Sequence, residues 1–263
     1  MPEFMGSAFQ IEVQKRMLAR HDWIKLQPDV ANGGRVMNFL EPEQTGWDVV
    51  GQYLAEDGIV VLNAQARENA LEQARSIFGA GYDCPMWDLY LGSKEAVQAA
   101  CRAYVAATPV PQGWRIECLR VPDIQQMEAV QALNMETGVA PYPGFYMRSE
   151  VVPSMTACLW DAQGVLAATA AVNARFHPAS RLGRHIFKGS TSVKPVYQGR
   201  GLGKLVNAHV LIDSQVAMGW IGVLSQVSAI NIASQKTIAA AALQPQNELT
   251  TVAVLAKGEV FTR

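Results

Sequence analysis

The residues best suited to do chemistry form a glycine-rich turn, Gln198-Gly199-Arg200-Gly201-Leu202-Gly203. A strand-like apolar run precedes this turn, and a helix-like run, Lys204 to Ile212, follows it. Such a turn brings several unpaired backbone N–H groups to the positive end of a helix dipole. We therefore expect its backbone to bind a phosphate or pyrophosphate group.

Two common phosphate-binding patterns do not account for the spacing of these glycines. A P-loop needs Gly-Lys followed by Ser or Thr, whereas Gly203-Lys204 is followed by Leu205. The dinucleotide pattern Gly-x-Gly-x-x-Gly fails by one residue, because Gly203 comes one position early. An acidic ribose partner is also absent about twenty positions later, where Trp220 to Ser225 are apolar or neutral.

The segment from Val193 to Gly203 resembles the acetyl-CoA signature of the GNAT (Gcn5-related) N-acetyltransferase family. That signature is Arg/Gln-x-x-Gly-x-Gly/Ala after a strand ending in Val-x-Pro, and Val193, Pro195 and the turn match it. Downstream, Trp220 to Val227 is strand-like, and Asn231-Ile232-Ala233-Ser234 opens an apolar helix at about the distance where the family has an Asn-led helix. The resemblance covers about residues 113–263.

This resemblance implies a set of residues that bind acetyl-CoA. The N–H groups of residues 199–204 would hold the pyrophosphate, with added charge from Arg200 and Lys204. The pantetheine arm would pair with the strand edge at Thr191–Val193, where the N–H of Val193 is the leading oxyanion donor. The whole set comprises Thr191, Ser192, Val193, Gln198, Gly199, Arg200, Gly201, Leu202, Gly203, Lys204, Asn231 and Ser234.

Catalytic groups are less well defined, because many relatives have a general-acid tyrosine where this chain has Ile238. The acid is left open between a water, Ser234 and a residue of the N-terminal half. As the base we expect His185, which lies on the strand leading into the signature and has a pKa suited to neutral pH. Glu150, which follows an aromatic loop, is the other candidate base.

The acceptor is expected to bind that aromatic loop, which contains Tyr142, Phe145, Tyr146 and Arg148. In the family the equivalent loop covers the acceptor. The aromatic rings would hold an apolar group, and Arg148 would pair with a carboxylate in bidentate fashion. This combination suits an amino acid or a small amine bearing an acid. Alternatively, the aromatic residues form a hydrophobic cluster beneath the loop.

Composition argues against several classes of partner. The chain has 263 residues, 49% of them apolar, and a net charge of −1, so a basic surface for nucleic acid is not indicated. Apolar runs are too short for a membrane span. The four cysteines include no Cys-x-x-Cys pair, so we expect no metal and reduced thiols in a cytoplasmic protein.

The order of elements predicts an α/β protein with a boundary at residues 109–113. Residues 1–112 would form an N-terminal α/β domain. It is either a degenerate copy of the GNAT fold or an accessory domain that completes the acceptor pocket or a homodimer interface. Residues 113–263 would form the GNAT domain, a mixed, mostly antiparallel sheet flanked by helices. A last strand is expected at residues 259–261.

The functional expectation is an acetyl-CoA-dependent N-acetyltransferase acting on a small-molecule amine by direct attack. One alternative keeps the fold but uses a longer acyl-CoA or a protein amine. The other alternative is a non-catalytic CoA-binding regulator or scaffold.

Overall fold

The structure is a computed structural model, and it describes residues 3–259. Within that range the strands are β1 Val30–Asn32, β2 Met37–Phe39, β3 Ile59–Ala66, β4 Tyr82–Asp83, β5 Met86–Ser93, β6 Arg115–Leu119, β7 Ser154–Trp160, β8 Leu166–Asn173, β9 His185–Val193, β10 Gly222–Val227 and β11 Gln244–Ala256. The α-helices are α1 Ala8–Ala19, α2 His21–Ile24, α3 Pro42–Thr45, α4 Trp47–Asp57, α5 Arg67–Phe78, α6 Lys94–Ala107, α7 Ile124–Glu136, α8 Gly144–Met147, α9 Leu202–Met218 and α10 Ile232–Ala239.

All the strands belong to one sheet with the order β1-β2-β3-β11-β5-β10-β9-β8-β7-β6, and β4 pairs with β11 outside this path. Only two of its neighbouring pairs, β2–β3 and β9–β10, are parallel. The sheet with its flanking helices is therefore mixed and mostly antiparallel, and it confirms the fold class expected from the sequence.

Strands from the two halves of the sequence alternate in the middle of the sheet. Strand β11, near the end of the described chain, lies between β3 and β5 of the first half. Strand β5 in turn pairs with β10 of the second half. Because hydrogen bonds cross between the halves at four strand pairs, β3–β11, β4–β11, β5–β11 and β5–β10, the sheet has no gap at residues 112–113. The division into two domains stays a prediction.

Side chains alternate between two cores along the central strands, as the pleat of a β-strand requires. On β7, Ala157 and Leu159 pack in the core beneath α6 and α9. The neighbouring Cys158 and Trp160 pack in the core that includes α7 and α8. A third core joins α1, α4 and α5 to β3 and β11. These layers fix α9 on one face of the sheet.

Helices α7 and α9 begin in different ways. At the start of α7, Asp123 and Gln126 form a reciprocal capping box between side chains and backbone. Helix α9 instead begins after Gly201, whose φ of 79° needs glycine, and no side chain caps it. The first turn of α9 is therefore open to a ligand. The strand predicted at residues 259–261 extends beyond the described residues.

Because strands from the two halves of the sequence alternate in the sheet, we expect the two fragments of a cleaved chain to stay together. A protease site engineered into residues 109–113 should yield two pieces that remain associated under native conditions, because β11 is held between β3 and β5 by backbone hydrogen bonds and apolar packing. Size-exclusion chromatography would measure this, with the same sample in concentrated guanidinium as the control. Two separate native peaks, each of about half the mass, would contradict the interleaving.

Candidate functional site

A cleft opens where strands β9 and β10 diverge. The two parallel strands pair only through residues 185–187 and 222–224, and beyond that point no pairing joins them. The cleft that begins there has a volume of about 180 Å³. Its walls include residues 188–191 of β9, residues 225–227 of β10, Ser228 after that strand, and the start of α10. Residues 33–38 and Trp87, from the first half of the sequence, complete it.

The predicted phosphate-binding turn presents unpaired backbone N–H groups. Within residues 3–259, no carbonyl or side chain accepts a hydrogen bond from the N–H groups of residues 199–204. The next N–H, that of Leu205, donates to the carbonyl of Gly201 and so starts the helix ladder. Gly199 and Gly201 have φ values of 78° and 79°, which shape the turn. These N–H groups and the positive end of α9 form an anion-binding arrangement.

The start of helix α9 packs against strand β9. A Cβ added to Gly203 would lie 3.4 Å from a methyl carbon of Val193 and 3.7 Å from one of Thr191, which are ordinary van der Waals distances. Buried Asn207 donates from Nδ2 to Thr191 Oγ1 at 3.0 Å and to the carbonyl of Gly203 at 2.6 Å. The strand edge and the turn are thus held as one unit.

The N–H of Val193 faces the gap between the strands. Lys194 donates to the carbonyl of Ala167 on β8, so these two residues form a hydrogen-bonded pair. Along an antiparallel ladder the direction of N–H groups alternates, and Val193, opposite Ala168, therefore points its N–H away from β8. Gln198 Nε2 donates to the carbonyl of Val193 from the same side, at 3.1 Å. The N–H of Val193 is therefore available to a bound chain, whereas Gln198 already pairs with its carbonyl.

A β-bulge shapes the strand inside the cleft. Ser192 pairs with Thr169 and Gly189 with Ala171, so two residues, Ser190 and Thr191, oppose a single residue of β8. Ser190 has a φ of 51°, unusual for a residue with a side chain. Its hydroxyl oxygen is buried without a partner among the described residues. Ser192, one of the expected CoA-binding residues, is instead buried and bonded to Asn134 Oδ1 at 2.8 Å.

Asn231 and Ser234, which the sequence predicts to bind the donor, line the cleft from the start of α10. Asn231 Oδ1 accepts a hydrogen bond from the N–H of Ser234 at 3.0 Å, so it also caps α10. Ile238, at the position of the family's tyrosine, is buried in the core beneath α9. It therefore serves packing.

Three cationic side chains, Arg35, Arg175 and Lys188, are the titratable groups among the described residues that line the cleft. Burial lowers the pKa of Lys188 to about 8 and lowers that of Arg175, whose guanidinium is also buried. No carboxylate or imidazole is among those lining residues. The cleft is thus a positively charged environment.

His185, expected to be the general base, does not reach this cleft. It lies at the start of β9, and its Nδ1 is 3.3 Å from the carbonyl oxygen of Gly183. Eight residues of strand, roughly 26 Å, separate it from Val193. His185 instead lines a second cavity of about 450 Å³, together with His21 and His177. His185 does lie on β9, but at the end of the strand opposite to Val193.

Glu150 and Arg148 also lie outside the cleft lining. Arg148 Nε donates to Glu150 Oε1 at 2.6 Å, and its Nη2 donates to Glu3 Oε2 at 2.8 Å. The two expected roles, base and carboxylate binder, are therefore replaced by an ion-pair cluster in which each group neutralises another. A sequence gives no sign of such pairing between residues as distant as Glu3 and Arg148.

The aromatic residues of the predicted acceptor loop are packed in the interior. Tyr142, Phe145 and Tyr146 are 3%, 0% and 1% exposed and belong to the core that includes α7. The rings of Tyr142 and Tyr146 stack with centroids 4.9 Å apart. The alternative expectation, a hydrophobic cluster, describes them better. The Cζ of Arg35 lies 4.2 Å from the centroid of the Tyr142 ring. The aromatic cluster therefore makes a cation–π contact with one of the arginines that line the cleft.

Sequence reasoning missed the charged and strained residues of the cleft. Lys188 stands within the strand between Phe187 and Gly189, and Arg175 follows β8, so neither belongs to a motif. The alternation of side chains along β9 could have indicated Lys188, because it lies two residues after the buried Ile186 and therefore on the same face of the strand. The bulge at Ser190 and the contribution of residues 33–38 depend on tertiary contacts.

No protein-family model matches this chain, and no curated protein matches its sequence. Several solved structures do. A GCN5-related N-acetyltransferase from Kribbella flavida is 14% identical over 84% of this chain and 78% of its own, with a TM-score of 0.55. A tandem GNAT protein from the clavulanic acid biosynthesis pathway is 14% identical over 86% and 76%, with a TM-score of 0.54. A GCN5-related N-acetyltransferase-like protein from Streptococcus suis is 11% identical over 94% and 99%, with a TM-score of 0.52.

These similarities show that the chain has the GNAT fold over most of its length. Coverage of 84% or more is greater than residues 113–263 alone can supply, so the likeness includes part of the first half. Between residues 3 and 259, no helix has the length and apolar character needed to cross a membrane. In the same range, His, Cys, Asp and Glu side chains form no group of three or more that could hold a metal ion.

The open turn predicts a specific defect in Gly199→Ala, because Gly199 has a φ of 78° and an added Cβ would meet nothing within 4 Å. Forcing a side chain into its left-handed conformation strains the turn by about 1–2 kcal/mol and should misdirect the unpaired N–H groups. We expect the dissociation constant for CoA, measured by calorimetry, to rise at least about tenfold, since lost anion contacts are worth of the order of 1 kcal/mol each.

Gly219→Ala is the matched control for that variant. Gly219 ends helix α9 with a φ of 62° and, like Gly199, has open space around it, so its replacement brings similar backbone strain far from the turn. Equal losses of CoA affinity in both variants would mean that general backbone strain, and not the shape of the turn, governs binding.

Lys188→Met should stabilise the protein in a pH-dependent way. The folded-state pKa of about 8 lies below the ordinary value of 10.5, so burial of the charge costs about 3 kcal/mol below pH 8. This cost declines between pH 8 and 10.5, as the lysine loses its proton in both states. Denaturant unfolding of wild type and variant should therefore show an advantage for Met at pH 7 that disappears near pH 10.5.

The exposed Lys94, at the start of α6, provides the comparison. Lys94→Met should change stability little at any of these pH values. A Lys188→Met advantage that is the same at pH 7 and pH 10.5 would show that the lysine is not buried in its charged form.

Proposed function

We propose that this protein transfers an acyl group from an acyl-coenzyme A to the amine of a small molecule. The observation that carries the proposal is the row of unpaired N–H groups at residues 199–204, beside the cleft between β9 and β10. We name acetyl-CoA as the donor because the segment from Val193 to Gly203 resembles a signature that binds acetyl-CoA. The solved structures with this fold include proteins described as N-acetyltransferases, which is consistent with acyl transfer.

The chain's own groups fit the parts of such a donor. The N–H groups of the turn and the start of α9 suit a pyrophosphate, and Arg200 and Lys204 lie at the same turn. The outward edge of β9 at Val193 suits the amide-containing pantetheine arm, which can pair as an added strand. Asn231 and Ser234 face the same space from α10.

Acyl transfer from a thioester needs a donor to the carbonyl oxygen as negative charge develops there. The N–H of Val193 points into the gap and is the best-placed backbone donor. Ser190, whose buried hydroxyl lacks a partner, is a second candidate within the same cleft. A fixed backbone N–H costs little reorganisation during the reaction, and this favours Val193 over a rotating hydroxyl.

Lys188 is our candidate for the group that receives the proton of the acceptor amine. It lines the cleft, and its pKa of about 8 makes it partly neutral near physiological pH. Because the base works only when neutral, the rate should rise with pH through about 8. This assignment replaces His185 and Glu150.

Direct attack by the amine is favoured over a covalent enzyme intermediate. The described residues that line the cleft include no cysteine. Burial also raises the pKa of Cys101 and of Cys158 to about 12, so their thiols stay protonated and poorly nucleophilic.

A non-catalytic CoA-binding regulator is the second candidate. One observation favours it: the described lining of the cleft offers no carboxylate or imidazole to take a proton. It shares the donor site with the first proposal and differs in lacking turnover.

A panel of small amines, tested with acetyl-CoA and longer acyl-CoAs, should separate these functions. We expect thiol release above background with at least one amine, and a rate that rises through about pH 8. Calorimetry with CoA provides the parallel measurement. Binding of CoA without release from any amine would support the regulator, and a lack of CoA binding would refute both.

A further inference from the structure

The buried guanidinium of Arg175 lacks an ionic partner. Arg175 is 7% exposed, and its Nε and Nη2 are buried without hydrogen-bond acceptors among the described residues. The titratable groups that act on it are Tyr142, Tyr146, which forms a side-chain hydrogen bond with the guanidinium, and Arg35, and they include no Asp or Glu. An unpaired buried charge costs several kcal/mol, so it calls for an explanation in terms of a missing partner.

Packing fixes the plane of this guanidinium. Its Cζ lies 3.7 Å from the centroid of the Phe187 ring, close enough for a cation–π contact. On another side, Gly33 approaches so closely that an added Cβ would lie 3.3 Å from Nη1. Arg175 is therefore held by the start of β9 and by a loop from the first half of the sequence.

The two unpaired nitrogens are the pair that a carboxylate recognises. Nε and Nη2 lie on one edge of the guanidinium fork, where two parallel N–H groups can bind both oxygens of a carboxylate. Arg175 lines the cleft that contains Lys188 and Ser190, and it also lines the second cavity beside His177 and His185. No Asp or Glu is among the described residues that line the cleft, so the protein itself supplies no carboxylate to this guanidinium.

We propose that the acceptor amine carries a carboxylate, and that Arg175 binds this carboxylate through Nε and Nη2 within the cleft. This rests on the proposed acyl transfer, which it refines by naming the acceptor class as amino acids. Arg175 acts as a specificity-determining residue, in the role that sequence reasoning gave to Arg148. A cationic acceptor such as a polyamine is disfavoured, because it would meet three positive side chains.

The test compares carboxylates with their neutral counterparts. The probes are glycine, β-alanine, 4-aminobutyrate and 6-aminohexanoate, each paired with its carboxamide, together with a panel of larger α-amino acids and their amides. Binding is measured by calorimetry with and without CoA, and turnover by thiol release. We expect at least one acid to bind at least tenfold more tightly than its amide, and its chain length distinguishes an α-amino acid from an acid on a longer arm.

Arg175→Gln should abolish this preference while the affinity for CoA stays within twofold. Arg175→Lys, which keeps the charge but lacks the two-pronged edge, should keep only part of it. Arg148→Gln is the matched control, since it removes the same charge outside the cleft and should leave the preference intact. Circular dichroism and CoA binding verify that each variant is folded.

Several results would overturn the assignment. These are equal binding of acid and amide by the wild type, no binding of any probe, or a preference that survives in Arg175→Gln. A selective loss of CoA affinity in Arg175→Gln would show that the guanidinium serves the donor. A carboxylate preference that depends on Arg175, without CoA binding or thiol release, would instead sustain this site and refute acyl transfer.

Discussion

The divergence of two parallel strands is the constraint on which the site depends. After three residue pairs, the backbone pairing of β9 and β10 ends, and beyond it the Ser225 hydroxyl donates to the carbonyl of Lys188 at 3.0 Å. Each strand is then left with an edge that its neighbour does not pair. Buried backbone groups need partners, so such a gap is stable only if water or a ligand can enter it. The cleft, the outward N–H of Val193 and the approach of α9 all follow from this geometry.

Buried hydrogen bonds hold strand β9 against helices α9 and α7 beside the gap. Asn207 ties β9 to the first turn of α9, while Ser192 is bonded to Asn134 of α7. Because both asparagines are buried, each unmade hydrogen bond would carry a penalty of about 1–3 kcal/mol. These contacts favour one position of the bulged strand, and so they fix where Ser190 and Thr191 face the cleft.

The first half of the chain contributes to the same site through the shared sheet. Strand β11 joins it to the second half, and residues 33–38 bring Arg35 to the wall of the cleft. Three cationic side chains then line one cleft, and two of them, Arg175 and Lys188, are largely excluded from water. A fold that accepts this electrostatic cost gains an attraction for anionic ligands that an exposed patch, screened by solvent, could not provide.

The sequence by itself determined the local features: the strand ending near Val193, the turn from Gln198 to Gly203, and the helix after it, since glycine conformations and apolar periodicity act over a few residues. It also indicated the fold through that turn. Only the tertiary structure decided the chemistry of the cleft, because His185 and Lys188 occupy one strand and differ in which cavity they reach. Likewise, Arg148 and Arg175 differ only in their neighbours: one finds carboxylates and the other none. Such pairings depend on contacts between distant residues, which local patterns do not encode.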